Sequence, residues 1–86
     1  MASYRLEITA SAEKQLGRLP DADKVRVARK IAELAAVPRP PGCRQLRGQD
    51  DVYRIRVGVY RVIYTIEERR IVVVVLKIGH RKDVYR

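Results

Sequence analysis

The segment "KIGHRKDVYR", residues 77–86, holds the chain's only histidine, His80, together with Lys77, Arg81, Lys82, Tyr85 and Arg86. An imidazole titrates near neutral pH and can give or take a proton there. A guanidinium is no base at any accessible pH, but it grips a phosphate through two parallel N–H bonds. A phenol can stack on a nucleobase or orient a hydroxyl. A second concentration, "YRIRVGVYRVIY" at residues 53–64, carries Arg54, Arg56 and Arg61 with no acid among them. Taken alone, His80 reads as a surface histidine beside Gly79, and Tyr85 as a residue that pins the tail. The arginines of the second segment ask for an anion.

The rest of the composition agrees with that demand. The 86 residues carry 19 Lys and Arg against 10 Asp and Glu, a formal charge of +9. Arginine outnumbers lysine 14 to five. Such a field attracts polyanions, and the arginine bias favours bidentate phosphate contact over mere solubility. An acidic protein partner would answer the charge equally well. One cysteine, Cys43, excludes an intramolecular disulfide, and with one histidine it makes a protein-only metal cage unsupported. The expectation is therefore no metal and no cofactor. The opening "MASYRLEI" has no apolar run of the signal-peptide kind, and the longest apolar stretch, residues 71–76, is too short to span a bilayer. These features predict a cytoplasmic protein in a reducing compartment.

At 86 residues with 47% apolar content, a single globular domain over residues 1–86 is expected. "SYRLEIT" alternates and predicts a half-buried strand, with Tyr4, Leu6 and Ile8 on one face. "ASAEKQLGRLP" predicts a short helix with Ser11 as cap and Pro20 as stop. Asp21 is placed to cap a second helix running to about Val37. Its apolar stripe is Val27, Ala28, Ile31, Leu34 and Ala35. "VPRPPG", residues 37–42, must break it. From residue 51 the period becomes two, predicting three strands with turns at Gly58 and at "EERR", residues 67–70. The last strand is apolar on both faces, as a covered central strand is. The predicted fold class is α+β: an N-terminal strand, two helices, then an antiparallel three-strand meander.

The hairpin at Gly58 can be worked out further. If Gly58 and Val59 form a two-residue type II′ loop, Val57 pairs with Tyr60, Arg56 with Arg61, Arg54 with Ile63 and Tyr53 with Tyr64. Tyr53, Ile55, Val57, Tyr60, Val62 and Tyr64 then share the face that meets the helices. Arg54, Arg56 and Arg61 share the other. Like charges directly opposite each other destabilise a strand pair, so three arginines on one face argue for an anion site. "RQLRG", residues 44–48, adds Arg44 and Arg47 just ahead of the sheet, either as a solvated loop or as further RNA contacts.

Four segments in order, "SAEKQL…LP", "PRPPG…LRG", "YRIRVGVYRVIY" and "IGHRKDVY", resemble the RelE-type toxins of type II toxin–antitoxin pairs, within the RelE/ParE superfamily. The resemblance spans nearly the whole chain. It implies a small ribonuclease-like fold, metal-independent cleavage of messenger RNA in the ribosomal A site, inhibition of translation, and neutralisation by a cognate acidic, RelB-like antitoxin. It carries the catalytic roles onto Arg54, Arg56, Arg61, Arg81 and Tyr85, with His80 as candidate acid or base. Arg44, Arg47, Lys77 and Lys82 are then candidates for contact with messenger or ribosomal RNA. Many members have lysines where this chain has Arg54 and Arg56, and one of those is thought to help take the proton. Arginine cannot do so, which leaves either His80 or purely electrostatic activation of the 2′-hydroxyl. Two other readings stand beside this one. ParE-type toxins share the fold, poison DNA gyrase and cleave no RNA. A non-catalytic basic RNA-binding module would need only the charge.

Overall fold

The computed structural model describes residues 3–48 and 51–80. The elements run β1 (Arg5–Ile8), α1 (Ala10–Gly17), α2 (Asp21–Glu33), β2 (Arg44–Gln45), β3 (Val52–Val57), β4 (Tyr60–Glu67) and β5 (Val72–His80). The class is α+β, as expected. β3, β4 and β5 form the antiparallel meander. The sheet around them is larger and mixed, in the order β1-β5-β4-β3-β2, because β1 joins β5 in parallel and β2 joins β3. β2 lies where a loop was a permissible reading. With two residues it is too short to leave a periodicity.

The helix ends also differ from the sequence reading. Thr9, not Ser11, caps α1: its hydroxyl accepts the Ala12 N–H at 3.1 Å. Asp21 is the first helical residue of α2 and makes no side-chain cap; Pro20 precedes it. Asp21 and Asp23 instead place negative charge on the first turn, where the helix dipole favours it. α2 stops at Glu33, not near Val37. Residue 37 precedes a proline, which disfavours the helical region there.

Both helices lie on one face of the sheet. α1 packs on β5 and α2 on β3. Val27 and Ile31 of α2, with Leu34 at its C-cap, meet Ile55, Val57, Val62, Tyr64, Ile66, Val73, Val75 and Ile78 in one core. Ala28 of the predicted stripe is exposed. β5 is an interior strand between β1 and β4, and Val72, Val73, Val75 and Ile78 are buried. A β-bulge interrupts its pairing with β4: Ile63 opposes Lys77 and Tyr64 opposes Val75, leaving Leu76 extra. Past the end of β1, the side chain of Gln15 accepts the Ile78 N–H at 2.7 Å and so holds the last part of β5.

Residues 36–42 are tied to the sheet by a polar network. Tyr64 is fully buried and donates to the Pro38 carbonyl at 2.7 Å. Arg39 donates to the Tyr53 hydroxyl at 3.2 Å and to Glu68 at 2.9 Å, and Tyr4 donates to the other Glu68 oxygen at 2.7 Å. The Tyr4 hydrogen bond and the Arg39 guanidinium hold the Glu68 carboxyl below its ordinary value. Burial, with Cys43 beside it, pushes the Tyr64 phenol up.

Candidate active site

The site is built on the β3–β4 hairpin. Gly58 has φ of +61°, while Val59 stays outside the positive-φ region, so the two-residue loop is type II′ rather than I′. The turn fixes the register: Arg56 opposes Arg61, Arg54 opposes Ile63 and Tyr53 opposes Tyr64. The pairing expected from Gly58 is the pairing observed. Since Val57 and Tyr60 close the loop as a hydrogen-bonded pair, Arg56 and Arg61 form the next, non-hydrogen-bonded pair, where side chains lie closest.

The neighbouring strands extend this face. Arg44 on β2 opposes Arg54, and Ile63 opposes Lys77 on β5. Arg44, Arg54, Ile63 and Lys77 therefore form one rung across four strands. Arg56, Arg61 and Gly79 form the next. Gly79 puts no side chain opposite Arg61. No acid occurs on β3, and Glu67, the only one on β4, closes its far end. There Arg70 reaches from Glu67 on β4 (2.8 Å) to Glu7 on β1 (3.7 Å). The outer face thus divides into a cationic half near the hairpin turn and a charge-paired half at the β4–β5 turn. Arg47 is exposed in the connection between β2 and β3, off both rungs.

His80 does not join the arginines. It opposes Tyr60, and the two rings meet edge-on with centroids 6.2 Å apart. Tyr60 belongs to the helix-facing side and donates to Asp23 of α2 at 3.1 Å. Burial and Asp23 raise the Tyr60 phenol. As candidate acid or base His80 would need to stand beside Arg54, Arg56 and Arg61; the structure sets it instead on the side of Tyr60. The bulge is the cause. Strict alternation from Val73 and Val75 would send His80 to the arginine face and Lys77 to the core. One extra residue at Leu76 exchanges them. Lys77 becomes the cation that the arginine face gains. Arg81, Lys82 and Tyr85 lie outside the described residues. Among the described residues, no three His, Cys, Asp or Glu side chains come together as a metal would require.

What this arrangement can do is hold a polyanion and stabilise extra charge on it. Its relatives sharpen that. A family model described as the ParE toxin of a type II toxin–antitoxin system, parDE, matches residues 6–85. The chain belongs to the RelE/ParE toxin family. It is 30% identical over 84 residues to Toxin RelG of Mycobacterium tuberculosis, covering 96% of this chain and 97% of that one. It is 28% identical over 82 residues to the mRNA interferase toxin RelE of Escherichia coli, covering 93% and 85%. Its fold matches the RelE–RelB complex of Pyrococcus horikoshii with a TM-score of 0.83 and 32% identity, over 95% of this chain and 99% of that one. A RelE-type toxin therefore accounts for both the fold and the basic sheet.

Proposed function

We propose that this RelE-type toxin is a ribosome-dependent endoribonuclease that cuts messenger RNA in the A site. The observation that carries the reading is the pair of rungs uniting Arg44, Arg54, Lys77, Arg56 and Arg61 on one half of one face of the sheet. The E. coli relative named an mRNA interferase supports the reaction class. In the reaction, the RNA 2′-oxygen attacks its adjacent phosphorus and the P–O5′ bond breaks. The products are a 2′,3′-cyclic phosphate and a 5′-hydroxyl. The 2′-hydroxyl loses a proton and the departing 5′-oxygen gains one.

Arg61, with Arg81, would hold the scissile phosphate and neutralise the charge that grows in the phosphorane. Arg54 and Arg56 would fix the neighbouring backbone and the in-line geometry. Tyr85 would stack on a base or orient the 2′-hydroxyl. The contact of His80 with Tyr60 favours electrostatic activation of the 2′-hydroxyl over a histidine base. No metal enters. A cognate antitoxin with an acidic segment would cover the same basic face, in keeping with the RelE–RelB assembly of the Pyrococcus relative.

The test is the chemistry of the ends. Ribosomes programmed with a defined messenger and given the toxin should yield fragments ending in 2′,3′-cyclic phosphate, with the cut retained when EDTA is added at preserved ribosomal magnesium. Fragments with 3′-hydroxyl ends, or a cut that needs added Mn²⁺ or Zn²⁺, would refute the mechanism. The ParE description of the matching family model motivates a second reading, a gyrase poison, in which intact RNA accompanies inhibited supercoiling.

A further inference from the structure

Beside the arginine rungs the edge of β3 opens into a cleft of about 700 Å³. Its walls are the C-terminal half of α2, residues 36–42, and the β2–β3 edge. The sequence makes this opening. Residues 40–43 form a turn in which the Cys43 N–H donates to the Pro40 carbonyl at 3.0 Å, with Gly42 at φ +89°. Pro41 at the second position and a left-handed glycine at the third are the type II pattern. This turn carries the chain away from the sheet, so β2 pairs with β3 no further than Arg54. The Leu46 N–H donates to the Val52 carbonyl at 2.8 Å. By alternation, the backbone groups of Val52, Arg54 and Arg56 point to that edge, and those of Arg56 lie beyond the end of β2.

Two kinds of surface meet in the cleft. Among the described residues, Lys30, Arg44, Arg54 and Arg56 line it against one acid, Glu33, which sits 3.6 Å from Lys30. Val37, 51% exposed, forms an apolar wall with Pro40 and Pro41. The hydrogen bonds of Arg39 and Tyr64 hold that wall in place, so little ordering is left for binding. Cations beside a rigid apolar wall suit a nucleotide of single-stranded RNA, phosphate on one and base on the other. A peptide entering as an added strand is less well served. It would find only Arg56 to pair with before the chain turns at Gly58.

We propose that this cleft is a second nucleotide site, holding the RNA nucleotide next to the one gripped by the arginine rungs. Its phosphate lies on Lys30, Arg44 and Arg56, and its base rests on Val37, Pro40 and Pro41. The assignment rests on the RNA-cleaving reading above, but binding is measured apart from cutting. The experiment uses the whole toxin and fluorescent 2′-O-methyl RNAs of two and four nucleotides, which cannot be cleaved. Wild-type toxin should bind the tetranucleotide about 10-fold tighter than the dinucleotide, from the added phosphate contacts and the base laid on the apolar wall. Lys30→Gln and Val37→Asn should remove most of that gain and leave dinucleotide affinity and melting temperature unchanged. Lys30→Gln should also reduce the salt slope for the tetranucleotide by about 0.7. Arg70→Gln, at the far end of β4 from Gly58, controls for net charge. A terminal 4-thiouridine on the tetranucleotide should crosslink to residues 36–42.

Equal affinity for the two lengths overturns the proposal, as does an Arg70→Gln effect matching that of Lys30→Gln. Polyglutamate binding that Lys30→Gln weakens, with tetranucleotide binding unmoved, reassigns the cleft to an acidic protein partner. A length gain without cleavage on ribosomes keeps the cleft and sinks the nuclease reading. Cleavage without a length gain does the reverse, and no RNA binding at all overturns both.

Discussion

Arg56 and Arg61 occupy the position in the ladder where cross-strand side chains lie closest. Like charges directly opposite each other in a ladder destabilise it. Arg56→Thr should therefore keep or raise the melting temperature while lowering cleavage; a clear loss of stability with cleavage intact would remove Arg56 from the site. This pair was legible in the sequence because one glycine in a two-residue loop fixes every rung of its hairpin. The side of His80 was not legible. "IVVVVLKI" is apolar at nearly every position, so a bulge inside it leaves no break in pattern, yet it decides which face Lys77 and His80 take. Placed against Tyr60, His80 should be dispensable for proton transfer. His80→Gln should retain cleavage within about threefold of wild type, against the 10²–10⁴-fold worth of a general acid or base, and the same rate profile between about pH 6 and 7. Loss of activity together with that pH dependence would restore His80 as the acid or base.

At the scale of elements, loops do the positioning that strands cannot. Residues 36–42 are fixed by the buried Tyr64 hydroxyl on Pro38 and by Arg39 between Tyr53 and Glu68. Tyr64→Phe strands the Pro38 carbonyl and should destabilise by about 1–2 kcal/mol. That is a drop of roughly 4–8 °C in melting temperature per kcal/mol for a domain of this size, measurable by calorimetry. Glu68 adds a pH dependence. Its carboxyl is held below the ordinary 4.5, so its stabilisation is present above pH 4.5 and is lost as pH falls through the lower folded value. The melting-temperature gap between wild type and Glu68→Gln should close as pH drops below 4.5. The β4–β5 turn carries a different signal: Ile71 has φ of +55°, a left-handed conformation that β-branched residues resist. Ile71→Asn should raise stability by about 0.5–1 kcal/mol, the scale of a relieved backbone strain, and a fall in melting temperature would show that its exposed side chain matters more. The sequence marked this turn and the Pro-rich break through their composition. It did not mark the Thr9 cap or the start of α2, because Ser11, Asp21 and Asp23 offer equally good local caps and only the packing of each helix on the sheet selects among them.

At the scale of the molecule, charge is sorted along the sheet: ion pairs knit β1, β4 and Arg70 at one end, and arginines and Lys77 gather at the other. A polyanion is drawn to one half of one face, beside the cleft at the β3 edge. The same half is where an acidic antitoxin segment would neutralise the toxin, and that inhibition should weaken with salt in its electrostatic part. A saturating antitoxin that leaves cleavage untouched would contradict a shared surface. The central claim is that the basic half of the sheet exists to cut RNA on the ribosome. The direct measurement is primer extension on messenger RNA in a translating extract, run beside a gyrase supercoiling assay, for wild type and Arg61→Gln. The account predicts cuts inside codons that need translation, fall at least 100-fold in Arg61→Gln for loss of a charge-stabilising group, and leave supercoiling unaffected. Intact messenger with inhibited supercoiling, unchanged by Arg61→Gln, would contradict it.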